Sequence, residues 1–294
     1  MKKTVRAGAA TLLSLCLAAL GGCGAKGAED PALQSGDTAG KPVVAVTIVP
    51  EATFVKAVCG DAVEVVTLVP PGYSPENYEP TPMETEKFSR AAVYFTVGVP
   101  VEASILQNAG DVKIVPLQDD VAAAYPDRTF EAGERDPHIW LSPRRAKVMV
   151  EGIEREMCAL DEANADTYRA NAEAYLAQLD ELDETITDAL AGVQNRKFVV
   201  YHPAFGYFAD DYGLAMVALE EEGKEATPKH LQDVIDIARA ENIKVIFYQA
   251  ETDSSQSAAF AEELGGKTME LSPLAADYIE NLKAMAALMA EVMQ

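Results

Sequence analysis

The sequence predicts an α/β protein of two blocks, each a mostly parallel sheet flanked by helices, with one long helix between them. Two observations predict this class. Short β-branched runs alternate with helical stretches in both halves of the chain, as βαβ units do. Between the halves lies a stretch of about 30 residues with helical periodicity and no breaker. The body that carries these elements, from Pro42 to Gln294, is long enough for two modest domains or one large one.

In the first half, 43–49, 63–69, 93–97 and 112–117 are short, apolar and rich in Val, which marks buried strands. The stretches 51–58, 82–91 and 101–108 read as helices between them, the first stopped by Gly60. A long acidic connection follows over 119–136. Ser142 before Pro143 then sets an N-cap and first-turn proline, and Ala146, Val150, Ile153, Met157 and Leu160 give the helix behind them one apolar face. The long periodic stretch, 162–191, places Tyr168, Ala172, Tyr175, Leu179, Leu182, Ile186 and Leu190 three or four residues apart, and Gly192 supplies a stop. At 1.5 Å per residue it makes a rod of roughly 45 Å, which either bridges two lobes or packs along one. Strands at 198–201, 216–219, 245–248 and 268–271 then alternate with helices at 228–240, 254–264 and 276–293.

The N-terminus reads as a secretory leader. Lys2, Lys3 and Arg6 precede an uncharged apolar stretch that is too short to span a bilayer comfortably. Leu20-Gly21-Gly22-Cys23 resembles a lipobox, so residues 1–22 are expected to be a lipoprotein signal peptide and Cys23 the lipidated residue. Residues 23–41, rich in Gly, Ala, Ser and Asp, read as a flexible tether with a reach of roughly 20–25 Å. No later segment is apolar enough to span a membrane. The expected location is extracytoplasmic, anchored to the cell membrane by lipid.

The formal net charge is −23, and removal of the leader with its three cations takes it to −26. A surface this acidic disfavours nucleic acid, whose binding depends on neutralising phosphates. Of the four cysteines, Cys59 and Cys158 remain besides Cys16 in the leader and Cys23. Neither belongs to a Cys-x-x-Cys pair, so a thiolate zinc knuckle is excluded; a bridge between them and two separate thiols both fit.

The chain has three histidines. His138 lies in Asp136-Pro137-His138-Ile139-Trp140-Leu141-Ser142-Pro143, and His202 in Tyr201-His202-Pro203-Ala204-Phe205, directly after a strand. Both sit on proline-braced turns at element boundaries, where an imidazole has little entropy to lose on binding a metal. His230 opens a helix in a polar setting and reads as a surface residue.

These segments resemble the metal-binding lipoproteins that deliver zinc or manganese to ABC transporters. Pro71-Gly72-Tyr73-Ser74-Pro75-Glu76-Asn77-Tyr78-Glu79-Pro80 is similar to that family's first ligand loop, 136–143 to its second, and 201–208 to its third, with the long helix between the second and third. The resemblance covers nearly the whole mature chain. It implies two α/β lobes, an N-terminal one over 42–161 and a C-terminal one over 195–294, joined by one rigid helix within 162–194, with the metal in the cleft between them. His138 and His202 match the family's ligand positions. Glu76 stands where a histidine is usual, and a carboxylate can replace it as a ligand. Ser272, before Pro273-Leu274, stands where an aspartate is common. Gln249 is the candidate for the fourth oxygen, with Glu251 its competitor and water a third option.

Two imidazoles with one or two oxygens favour Zn2+, and harder oxygen ligands shift the balance towards Mn2+. The expected role is a non-catalytic, monomeric binding protein that captures a divalent metal and passes it to a membrane permease. Two other readings stand beside it: a surface adhesin with a vestigial site, motivated by the missing histidine and aspartate, and a zinc-dependent hydrolase. The second lacks a His-Glu-x-x-His helix.

Overall fold

The computed structural model describes residues 40–130, 133–220, 226–251 and 255–294. The expected leader, Cys23 and the tether up to residue 39 lie outside these. Among the described residues no helix is long and apolar enough to cross a membrane.

The first sheet contains β1 (Val43–Val46), β2 (Glu64–Thr67), β3 (Val93–Thr96) and β4 (Lys113–Pro116), all parallel, in the order β2-β1-β3-β4. Helices α1 (Val49–Cys59), α2 (Pro82–Phe88) and α3 (Glu102–Leu106) make the crossovers, and α4 (Leu117–Ala124) follows β4. The second sheet repeats the plan: β5 (Lys197–Val200), β6 (Ala215–Ala218), β7 (Val245–Gln249) and β8 (Lys267–Leu271), parallel, in the order β6-β5-β7-β8. Its helices are α7 (Gly206–Asp211), α8 (Pro228–Ala240), α9 (Ser255–Glu263) and α10 (Tyr278–Val292). In both sheets the chain order reverses between the two central strands, β1 with β3 and β5 with β7. The crevice beyond the carboxyl ends of such strands is where ligands bind in open α/β sheets.

Helix α5 (Pro143–Leu160) begins as its sequence dictates: the Ser142 hydroxyl accepts the Arg145 N–H at 3.1 Å. A short 3-10 turn, Glu162–Asn164, then leads into α6 (Ala165–Leu190). Its 26 residues span about 39 Å, shorter than the expected rod because the chain turns tightly before the helix proper. Ala165 and the seven residues of the periodic stripe form its buried face, which packs along α5, α10 and α1. Helix α6 thus bridges the two sheets, and one hydrophobic cluster runs from Val44 and Phe54 through Leu179 to Phe247 and Met285. Two hydrogen bonds also cross between the halves near the cleft: Trp140 Nε1–H to the Pro273 carbonyl (2.9 Å), and the Tyr278 hydroxyl to the Trp140 carbonyl (2.5 Å).

Two segments depart from expectation. The acidic connection starts as helix α4, because Leu117 and Val121 bury one face against the sheet side and α5. Helix α7 has six residues, too few to show a periodic signal. Cys59 is buried and Cys158 half-buried, both as free thiols, and burial pushes the Cys59 thiol up to about 12.

At the reversal point of the first sheet lies a buried acidic network. Glu51 Oε2 accepts the Thr47 and Ile48 N–H groups, each at 3.0 Å. Glu102 accepts the Thr47 hydroxyl (2.6 Å), Val97 N–H (3.0 Å) and Gly98 N–H (2.8 Å). Tyr94 Oη meets the Thr47 hydroxyl at 2.8 Å. Burial pushes Glu102 up to about 7 against those bonds, while burial and the Glu102 charge push Glu51 well above the usual carboxylate range. Two carboxylates in one dry site do not both ionise. The bonds to Glu102 favour its charged form, so the proton resides on Glu51, whose Oε1 has no hydrogen-bond partner among the described residues.

The native state therefore keeps a proton that the unfolded chain has released above the ordinary value of 4.5, and stability falls as pH rises from there. Glu51→Gln removes the titration. Its thermal midpoint is expected to fall less between pH 5 and pH 8 than that of the unmutated protein, by the equivalent of about 1 kcal/mol or more. Equal falls in paired thermal melts would refute the assignment.

Candidate metal centre

Glu76 sits in the 68–81 connection after β2. The Ser74 hydroxyl accepts the Glu76 N–H at 3.3 Å, and the Pro75 carbonyl accepts Val101 N–H at 3.2 Å, so the turn is pinned to the start of α3. At the far end Thr81 and Glu84 form a capping box, with the Thr81 N–H on Glu84 Oε2 at 2.6 Å. The same carboxylate accepts the Tyr78 hydroxyl at 2.8 Å, and the Tyr78 ring packs at a tilt beside Tyr73, with centroids 5.1 Å apart. Against its own partial burial, these hydrogen bonds hold the Glu84 carboxyl below its ordinary value. A loop without secondary structure is thereby braced on both sides of Glu76.

His138 is buried at the turn before α5. Asp136, also buried, places one oxygen, Oδ1, on both the His138 N–H (3.0 Å) and the ring Nδ1 (2.8 Å). His202 is buried just past the end of β5, and its Nδ1 meets Glu220 Oε2 at 2.7 Å. Glu220 reaches this position because the β5–β6 pairing continues past the strands: Glu220 N–H donates to the Tyr201 carbonyl at 2.9 Å.

An ionised carboxylate accepts only, so a neutral ring held this way carries its proton on Nδ1 and leaves Nε2 with a lone pair. The two outer nitrogens converge: His138 Nε2 and His202 Nε2 are 3.2 Å apart. Glu76 Oε1 lies 3.9 Å from both. Three acceptor atoms, from two loops of the first half and one of the second, thus lie within 4.8 Å of one another. Without a cation or a proton among them, these acceptors repel one another.

The other candidates belong to the second half of the chain. Gln249 is buried at the C-terminal end of β7, the strand beside β5. Glu251 is half-buried and outside the three-residue group; burial, then Glu270, raises its carboxyl against a bond to its own backbone. The Ser272 hydroxyl meets Glu270 at 3.5 Å. His230, expected at the surface, is half-buried, and its Nε2 meets the Ala218 carbonyl at 2.9 Å.

Sequence reasoning passed over the roles of Asp136 and Glu220. Asp136 carries a signal, an Asp two residues before a turn histidine. Glu220 opens an acidic run and is brought to His202 only by strand pairing.

A family model described as the periplasmic zinc-uptake complex component A, ZnuA, matches residues 44–292. A crystal structure of ZnuA is 34% identical and superposes with a TM-score of 0.81, covering 86% of this chain and 100% of that one. The zinc-binding lipoprotein AdcA of Streptococcus pneumoniae is 28% identical over 263 residues, 83% of this chain and 52% of the relative, so the chain spans about half of that protein. The periplasmic zinc-binding protein TroA of Treponema pallidum, 21% identical, has the same fold with a TM-score of 0.80 over 86% of this chain.

Nitrogen-detected NMR of the metal-free protein is expected to show both rings in the Nδ1–H form. Glu220→Ala is expected to admit the Nε2–H form at His202 while leaving His138 unchanged. An Nε2–H form at either ring in the unmutated protein would contradict the carboxylate assignment.

Proposed function

The chain belongs to the family of the zinc-uptake complex component A, and we propose from that premise that it captures a divalent cation outside the membrane and passes it to the permease of an ABC transporter. The observation that carries this is the meeting of His138 Nε2 and His202 Nε2 at 3.2 Å with their proton-bearing sides turned to carboxylates. Two nitrogens bound to one tetrahedral ion at 2.0–2.1 Å stand about 3.3 Å apart. The imidazoles therefore need almost no rearrangement to take the cargo.

Glu76 is the third ligand in this reading. Its oxygen lies about half an ångström farther from the nitrogens than a tetrahedral edge requires, so a small inward movement of the 68–81 loop completes the contact. Gln249 from the end of β7, or a water, takes the fourth place. Zinc is the favoured cargo, because two imidazoles and one carboxylate form a common zinc set; manganese is next. Residues 42–161 and 195–294 form the lobes, and 162–194 holds them. Cys23 carries the lipid, and the flexible tether lets the body reach its permease as a monomer. No catalytic step is part of the role.

Glu76 lies beside both histidines, so the position where the resemblance implies a histidine still offers an acceptor to the cleft, which counts against the adhesin reading. The hydrolase reading has no observation in its favour.

Calorimetric titration of the full-length protein in detergent is expected to give 1:1 binding, tighter for zinc than for manganese. His138→Ala and His202→Ala should each weaken zinc binding at least 100-fold, because each removes one of only two nitrogen ligands. Unchanged affinity in both variants would sink the assignment. Glu76→Ala is expected to weaken zinc about 10- to 100-fold, and Glu76→His to recover it; a weaker Glu76→His than Glu76→Ala would exclude Glu76 from the shell.

A further inference from the structure

The loops that carry His138 and His202 are joined well beyond their rings. Past His202 the chain enters α7, and α7 is clamped by residues that flank His138. Tyr207 Oη accepts the Arg128 N–H at 3.0 Å and donates to the Asp136 carbonyl at 3.1 Å. The Ser142 hydroxyl donates to Asp211, and Arg145 bonds both Asp211 oxygens at 2.8 and 2.9 Å while lying 4.4 Å over the Tyr207 ring.

Arg128 occupies the middle of this clamp. One arm of its guanidinium pairs with Asp210 on α7. Its Nε faces Asp136 Oδ2 at 3.5 Å as an ion pair, and among the described residues both atoms are buried and neither makes a hydrogen bond. The opposite oxygen of Asp136 is the one that holds His138 Nδ1. Gly206 makes room for the pair: a Cβ there would fall 2.4 Å from Arg128 Nε and 2.8 Å from Asp136 Oδ2. Those distances are far inside van der Waals contact, so any side chain at 206 drives the guanidinium off the carboxylate.

We propose that Arg128 is a positioning residue of the metal site, holding Asp136 against His138 and tying that orientation, through Asp210, to the helix that follows His202. This rests on the metal-binding reading above. The guanidinium is the counter-charge on the outer side of Asp136. Without it the carboxylate is free to turn away from His138, and the imidazole loses the contact that aims its Nε2. Because the same fork grips α7, a displacement of the second lobe moves Arg128, then Asp136, then the His138 ring, so lobe position and ligand orientation change together.

The test is zinc affinity by chelator competition on the full-length protein, with the visible absorption of bound Co2+ as a report on ligand geometry. Arg128→Gln and Gly206→Ala are each expected to weaken zinc 10- to 100-fold, the usual range for partners that orient a ligand, and to change the cobalt spectrum. The double variant should bind no more than about twofold weaker than the weaker single one, because both act on one contact. Asp210→Asn, at an exposed side chain, should weaken zinc several-fold and leave the melting temperature of the metal-free protein unchanged. Should Arg128→Gln not fold, Arg128→Lys and Asp210→Asn decide, the lysine keeping the charge without the fork. Zinc binding within twofold of the unmutated protein and an unchanged cobalt spectrum in these variants, with binding still lost in His138→Ala, overturn the proposal alone. Retained binding in both histidine variants overturns the metal reading itself, and the proposal with it.

Discussion

Two imidazole nitrogens, His138 Nε2 and His202 Nε2, face each other across 3.2 Å, and the surroundings are arranged to keep them there. Each ring is buried and is held from behind by a carboxylate, Asp136 for one and Glu220 for the other. The carboxylates fix both tautomer and direction. An arrangement of acceptors this close is unfavourable in isolation, and a dication relieves it. The cost of assembling the acceptors is met in folding, which leaves more of the interaction with a cation to appear as affinity.

The fold supplies that assembly by bringing together chain ends that are far apart in sequence. Parallel strands with crossover helices direct their carboxyl ends to one side, and reversal of strand order opens a crevice there. His202 leaves β5 at such a crevice, and Gln249 ends the neighbouring strand β7. His138 arrives from the turn before α5, Glu76 from the connection after β2. Helices α6 and α10 and the hydrophobic cluster they share with both sheets make the relation between the two halves stiff. Large hinge rotation is therefore a poor way to admit a ligand here, and movement of the braced 68–81 loop is a smaller one.

Charge at the cleft follows the same plan. Glu76, Asp136 and Glu220 place three carboxylates around two imidazole rings, and Arg128 offsets one of them. A divalent cation then leaves the site close to neutral, which limits the penalty of holding it in a buried place. A carboxylate at 76, where the resemblance implies a histidine, adds one of these charges without removing an acceptor.

Strands, most helices and the buried stripe of α6 were legible because they depend on local periodicity: each of the seven stripe residues read from spacing is buried. Helix α7 was not, being shorter than two turns, and the start of the acidic connection hid α4 because charge masked its two core residues. At the site, His138 and His202 stood out through their prolines, and Glu76 through its place in a recognisable loop. Glu220 stood in an acidic run like any solvated carboxylate; only pairing of β5 with β6 sets it on His202. Arg128 and Gly206 meet 78 residues apart in sequence, through space that a side chain would fill. The sequence alone determined the elements, the two-lobed plan and which residues had metal-ligand chemistry, since these follow from residue type and near-neighbour spacing. The tertiary structure decided which of those groups share a point, which carboxylate stands behind each ring and which arginine stands behind that, because distances between loops are set by packing and not by position along the chain.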